Sequence, residues 1–279
     1  MKLSTFYYII VTRISIKEQL LSGKKFYLGL GILKNKVRKG VSMNTNKKIL
    51  ISDYDQTFYL NDDDIEKNKI ALKKFREKGN MFIIATGRSY FDFKKKSDLY
   101  HIDYDYLIIN HGATILDKNN NIIYNFSIND EIIEALKQDL EIDKSIKTFC
   151  CSKLESRVDF NYKNLTKIHI KYNDSETAMK INDKINTKYN RYVKAYYVTG
   201  NAIEIISKET DKCLAIDLLL KNLEIDKNYA YTIGDGYSDI EMIRNFNGYC
   251  MKDSVNELKS IAKKEYESVS DLINEILML

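Results

Sequence analysis

From Lys47 onward the chain alternates short apolar runs with longer segments whose apolar residues recur every three to four positions. This alternation of strand-like and helix-like pieces marks a sheet of mostly parallel strands, because parallel neighbours need a long crossover between them. Ile49-Leu50-Ile51-Ser52 is apolar without alternation, as suits a central strand covered on both faces. In 63–78, Ile65, Leu72 and Phe75 share one helical face and Gly79 supplies a stop. Further strands are predicted at 81–85 and 106–109.

The pattern then changes. Residues 113–125 read as a hairpin around the polar turn Asp117-Lys-Asn-Asn-Asn. A helix follows with Ile132, Ile133, Leu136 and Leu140 at core spacing. Residues 165–172 alternate, with Ile168, Ile170 and Tyr172 on one face and Lys167, His169 and Lys171 on the other. A helix at 174–188 and a strand at 192–198 complete this α+β block. The first pattern is expected to resume with a strand at 202–206 and a helix at 211–222 burying Leu214, Ala215, Leu218 and Leu219. A strand at 230–233, a short helix from Ser238, a strand near Tyr249 and terminal helices follow. The expected fold class is α/β: a doubly wound, Rossmann-like parallel-sheet core formed by 43–112 and 201–279, interrupted by an α+β cap at 113–200.

Composition narrows the function classes without changing this picture. An apolar share of 44% and a charged share of 30% are ordinary for a globular protein, and proline is absent. Cys150, Cys151, Cys213 and Cys250 form neither a CxxC pair nor a metal-ligand spacing, which argues against a disulfide framework and for a reducing cytoplasm. No apolar run approaches the roughly 18–20 residues that span a bilayer.

The net charge of +5 is unevenly spread. Residues 1–42 hold nine Lys/Arg against the single acid Glu18, so the remainder is net acidic and gives no reason to expect a nucleic-acid partner. This leader lacks a sustained period and the ordering of a secretory signal. Arg38-Lys39-Gly40-Val41 is compatible with a purine-rich coding run resembling a ribosome-binding site just upstream of Met43. The expectation is that 1–42 are upstream sequence read through and that Met43 is the start. A basic membrane-surface arm is the alternative.

The chemistry gathers at predicted strand ends. Strand 49–52 runs into Asp53-Tyr54-Asp55-Gln56-Thr57, and residues two apart on an extended chain project to the same side, so Asp53 and Asp55 begin as neighbours. Sheets of this kind place ligands at the carboxyl ends of their strands. Strand 81–85 runs into Thr86-Gly87-Arg88, offering a hydroxyl and a glycine amide. Lys212 opens a helix, and strand 230–233 runs into Gly234-Asp235-Gly236-Tyr237-Ser238-Asp239. Each has a plain alternative as a capped turn, a solvated lysine or a glycine turn. Four such segments converging on one edge are harder to explain that way.

Their order resembles the haloacid dehalogenase superfamily, specifically its Cof-type phosphatases with a large cap between the second and third motifs. The resemblance covers essentially all of 47–279. Asp53-x-Asp55-x-Thr57 is similar to the first motif, Thr86-Gly87-Arg88 to the second and Lys212 to the third. Gly234-Asp235-Gly236-x-Ser238-Asp239-x-x-Met242 is similar to the fourth, and Asn110-His111-Gly112-Ala113 to the segment leading into the cap.

The resemblance implies a phosphatase acting on a small phosphorylated metabolite. Asp53 would be the nucleophile and Asp55 the general acid and base. Mg²⁺ would be held by Asp53, the Asp55 backbone carbonyl and Asp235, with Asp239 either a further ligand or the group that orients a bound water. Thr86, Gly87 and Lys212 would bind the phosphoryl group, with Arg88, Asn110, His111 and Ser238 as candidate substrate contacts. Gln56 stands where the family usually has Gly, Ser238 where it has Asn, and Met251-Lys-Asp253-Ser254 departs from a usual Met-x-Asn-Ala; none removes a catalytic group. A phosphomutase of the same superfamily and a silent metabolite-binding regulator are the competing readings. The Lys167/His169/Lys171 stripe reads most simply as a solvated face, and the tyrosines of 189–197 as packing residues.

Overall fold

The computed structural model describes residues 47–198 and 200–279; the expectations for the leader and for Met43 concern residues outside that range. The chain enters at β1 (Ile49–Ser52), crosses through α1 (Asp62–Glu77) to β2 (Met81–Ala85), then through α2 (Tyr90–Tyr100) to β3 (Tyr106–Ile109). Asn61 starts α1, its side-chain oxygen accepting the Asp63 and Asp64 N–H groups. Asp62, Asp63 and Asp64 in the first turn and Lys74 and Arg76 in the last suit the helix dipole. Gly79, at a φ of +82°, follows its end in the left-handed region.

A single turn at Asn110–Gly112 leads next into β4 (Thr114–Asp117) and β5 (Ile122–Asn125), an antiparallel hairpin on the edge of β3. The four residues between β3 and β4 cannot form the dozen-residue crossover that a parallel strand requires, so β4 turns back beside β3. The hairpin thus belongs to the core sheet, and the expected cap boundary at 113 moves to its far end.

The cap proper contains α3 (Asp130–Asp139), β6 (Ser145–Ser152), β7 (Glu155–Val158), β8 (Lys167–Tyr172), α4 (Ser175–Lys188), β9 (Val193–Val198) and β10 (Ala202–Ser207). Its sheet runs β7-β6-β8-β10-β9 with antiparallel pairings throughout. The pattern of 202–206 suggests a return to the parallel core, but only three residues separate β10 from β9, which permits a hairpin and no crossover. The expected boundary at 200 therefore moves past β10.

The chain returns through α5 (Lys212–Asn222), β11 (Ala230–Gly234), α6 (Ile240–Asn245), β12 (Asn247–Met251), α7 (Asn256–Lys259), β13 (Glu265–Tyr266) and α8 (Val269–Met278). The core sheet runs β13-β12-β11-β1-β2-β3-β4-β5, parallel except for the β4–β5 hairpin. Helices α1, α2 and α8 cover one face with Leu50, Phe82, Ile84 and Leu107. Helices α5, α6 and α7 cover the other with Ile49, Ile51, Ile83 and Ile108. Burying each such side chain contributes about 1.5–3 kcal/mol relative to leaving it in water.

In α5 the buried face is Lys212, Ala215, Ile216, Leu219 and Leu220. Leu214 lies off that face and is 45% exposed, contrary to the sequence expectation, and Leu218 is only partly buried. The cap has its own apolar cluster, built from Ile133, Leu136, Ile168, Ile170, Ala178, Ile181, Ile185 and their neighbours. Two strands of chain join the units side by side. The Phe126 N–H donates to the Ala113 carbonyl at 2.7 Å, and the Thr210 hydroxyl donates to the Gly112 carbonyl at 2.8 Å. Among the described residues, no helix is long and apolar enough to cross a membrane.

Candidate active site

Strands β11, β1, β2 and β3 are consecutive in the sheet and parallel, so the residues after their carboxyl ends emerge at one edge. Asp53 follows β1 and continues its pairing, donating its N–H to the Ile233 carbonyl at 3.0 Å. Lys212, the first residue of α5, is 1% exposed. Its Nζ donates to Asp53 Oδ1 at 2.8 Å and to Asp239 Oδ1 at 2.7 Å. Asp239 is wholly buried, and its Oδ2 accepts the N–H groups of Asp235 at 3.2 Å and Gly236 at 3.0 Å. Asp235 Oδ1 accepts the Thr57 hydroxyl at 2.7 Å.

Asp53, Asp235 and Asp239 each offer a carboxylate oxygen within 4.8 Å of the others. Three acids beside one ammonium leave negative charge that burial makes expensive. Burial pushes Asp53 well above the ordinary carboxylate range; Lys212 opposes the rise, and Asp239 and Asp235 add to it. Burial and then Asp239 push Asp235 up to about 6. Burial works against the Lys212 charge, yet Asp239 and Asp53 hold its pKa above the usual lysine value. An oxygen-only donor set with excess negative charge fits a hard divalent cation such as Mg²⁺.

Asp55 is not one of the three grouped acids. Its carboxylate is gripped by Arg88, Nε to Oδ2 and Nη2 to Oδ1, both at 2.7 Å. Arg88 also lies over the Tyr54 ring, 5.4 Å from its centroid. The Arg88 side chain, a candidate substrate contact by sequence, is thus engaged by the candidate acid and base. Gln56, where the family usually has Gly, adopts a φ of +57°, the left-handed conformation that glycine enters without strain.

Thr86 is buried, and its hydroxyl oxygen accepts the Arg88 N–H at 3.1 Å. Gly87 has no room for a side chain: a Cβ there would lie 2.3 Å from Cε1 of His111. Asn110 and His111 both have positive φ, 51° and 56°, in a tight turn that Gly112 completes at +105°. A Cβ on Gly112 would lie 2.2 Å from the Asp211 carbonyl oxygen, so this turn packs directly against the start of α5 and Lys212. Asn110 is wholly buried and donates to the Thr166 hydroxyl at 3.3 Å. Ser238 lies half-buried in the turn Tyr237–Asp239 and makes no hydrogen bond to the carboxylates.

The alternating stripe of β8 is not a solvated face. Lys167 is 2% exposed, and it shares Glu204 of β10 with His169 and His111. Glu204 has no place in the motif pattern. The signal that could have found it is a lone acid inside the otherwise uncharged strand Ala202–Ser207. Tyr196, opposite Glu204 on β9, brings its ring to 5.1 Å from that of His111.

A family described as haloacid dehalogenase-like hydrolase matches residues 50–158 and 147–272. A protein from Buchnera aphidicola subsp. Baizongia pistaciae with a provisional phosphatase name is 25% identical over 265 residues, covering 82% of this chain and 97% of its own. A solved structure from Plasmodium vivax, provisionally described as a HAD/COF-like hydrolase, is similar at a TM-score of 0.73 and 19% identity, over 85% of this chain and 97% of that one. A HAD subclass IIB sugar phosphatase is similar at a TM-score of 0.67 and 18% identity, over 84% and 100%. At these identities both solved structures speak to the fold.

Proposed function

The chain belongs to the haloacid dehalogenase-like hydrolases, and from that premise we propose that it is a magnesium-dependent phosphatase acting on small phosphorylated metabolites through an aspartyl-phosphate. The observation that carries this reading is the single Lys212 ammonium bonded to both Asp53 and Asp239, with Asp235 beside them. Residues from three distant parts of the chain meet in an arrangement that a structural core would have no reason to build.

Lys212 holds Oδ1 of Asp53, which leaves Oδ2 to attack phosphorus. The Asp53–phosphorus bond forms as the bond to the leaving oxygen breaks, and Asp55 gives that oxygen a proton. In the second half, water attacks phosphorus, Asp55 takes its proton and the bond to Asp53 breaks. Arg88 holds both Asp55 oxygens, so the acid role requires Asp55 to leave that pair and take up a proton from solvent before the leaving oxygen departs. Thr86 and the Gly87 N–H bind phosphoryl oxygens, and Lys212 offsets negative charge on the transferred group. Asp53, Asp235 and Asp239, with the Asp55 carbonyl, are the groups that would hold Mg²⁺, which when bound supplies positive charge at the phosphoryl oxygens.

Sugar phosphates and phosphorylated cofactors are the substrate class we favour, supported by the likeness to a sugar phosphatase of the same fold. Free cysteines and the lack of a membrane-crossing helix among the described residues are consistent with a cytoplasmic enzyme. The test is phosphate release from a panel of phosphorylated metabolites, with Mg²⁺ or EDTA, beside Asp53→Asn. Release that needs Mg²⁺ and is lost in Asp53→Asn is expected. Isomerised product without free phosphate would replace the phosphatase with a mutase.

A further inference from the structure

The cap face that meets the core carries an ion-pair cluster that the chemistry above leaves unused. Glu204 is 8% exposed, and its carboxylate meets three side chains. Oε1 accepts from Lys167 Nζ at 2.8 Å and lies 2.9 Å from His169 Nδ1, while Oε2 lies 2.5 Å from His111 Nε2. Lys167 Nζ also donates to the Gly87 carbonyl at 2.6 Å. The His111 backbone N–H donates to the Thr86 carbonyl at 3.1 Å, and its ring closes over Gly87. Both peptide groups flanking Gly87 are therefore held by their carbonyls, one from the cap and one from the turn that leads towards it. In a trans peptide the N–H points opposite to the C=O. The Gly87 N–H thus points away from His111, and no acceptor among the described residues takes it.

We propose that Glu204 is a positioning residue for the phosphoryl-binding loop: through His111 it steadies the Thr86–Gly87 peptide, whose N–H receives a phosphoryl oxygen, and through Lys167 it pins the next peptide by the Gly87 carbonyl. The inference rests on reading the site as a phosphatase. It deepens that reading by making a cap residue part of the core's anion-binding geometry. A buried acid and a buried lysine are costly to keep, and an apolar pair would pack the same junction without that cost. What the apolar pair would lack is a donor for the Gly87 carbonyl.

The test compares wild type, Glu204→Gln, Lys167→Met and the double variant. Each is assayed with Mg²⁺ for hydrolysis of p-nitrophenyl phosphate, inhibition by inorganic phosphate and thermal melting. The double variant removes both charges together, so it leaves no unpaired ion to unfold the junction. Each single variant is expected to lower kcat/KM about 10- to 100-fold, with the inhibition constant for phosphate rising in parallel. The double variant should be no worse than the more impaired single, because Glu204 acts through Lys167. Folded variants with lower melting temperatures but unchanged kcat/KM and phosphate inhibition would reduce Glu204 to a structural role and overturn the inference alone. Losses that multiply in the double variant would also overturn it. A folded wild type that neither hydrolyses the aryl phosphate nor binds phosphate would overturn the phosphatase reading, and this inference with it.

Discussion

Lys212 shows why single groups at this site resist replacement. Its ammonium lies between two buried carboxylates, and Lys212→Met would leave Asp53 and Asp239 facing each other without it. We expect a loss of about 3–5 kcal/mol of stability and about 100-fold or more in kcat. Because a bound cation would then offset more negative charge, Mg²⁺ should raise the melting temperature more in the variant than in wild type, read by thermal melts across a Mg²⁺ series. An equal or smaller rise would contradict that account. Gly87 is constrained differently, by the His111 ring. Gly87→Ala is expected to cost about 1–3 kcal/mol by overpacking and to lose activity; adding His111→Ala should recover the stability in a melt but not the activity. The pH response follows from two neighbours. Burial pushes His111 below the usual histidine value, so the fold holds it neutral. Burial works against the Glu204 charge, but Lys167, His111 and His169 hold it well below the usual carboxylate range. A depressed histidine takes up protons on unfolding, so stability falls as pH drops from about 6.5 towards its folded value. The Glu204 contribution is complete above the unfolded carboxylate pKa and is lost as pH falls through its folded value. Asp53 and Asp235 shift the opposite way and are common to both proteins, so the test is a difference: as pH drops from about 6.5 towards the folded His111 value, melting temperature should fall more in wild type than in His111→Asn.

At the scale of elements, what could be read in the chain was whatever leaves a local trace. Strand β1, helix α1 and the acids after β1 and β11 were legible because uninterrupted apolar runs, 3.6-residue periodicity and a polar break each occupy a few consecutive residues. Partner choice leaves no such trace. Strand β10 is buried along its whole length, as a core strand would be, yet it pairs antiparallel in the cap, a choice set by the short link to β9. The β4–β5 hairpin was legible as a hairpin but not as part of the core sheet, for the same reason. Glu204 escaped because its role lies in three side chains distant in sequence. Local causes also give a local test. Asn61 caps α1 and its side chain bonds only Asp63 and Asp64, so Asn61→Ala should cost about 1 kcal/mol in denaturant unfolding and leave kcat unchanged. A loss of activity there would mean that α1 is coupled to the site.

For the whole molecule, the separate apolar cluster of the cap implies a separate unit of cooperativity. Native-state hydrogen exchange should show amides of α3 and α4 opening together at a lower free energy than those of α1 and β1. Identical opening energies would show a single cooperative block. The joint between the two units has a consequence of another kind. The outgoing chain at Phe126 and the returning chain at Thr210 are tied to the adjacent carbonyls of Ala113 and Gly112. An insertion whose two ends share one corner can be lengthened, shortened or exchanged for a different module without re-threading the sheet beneath it. The cap can therefore change while the cluster at the strand ends beneath it stays as it is, so far as a new module again supplies a donor for the Gly87 carbonyl.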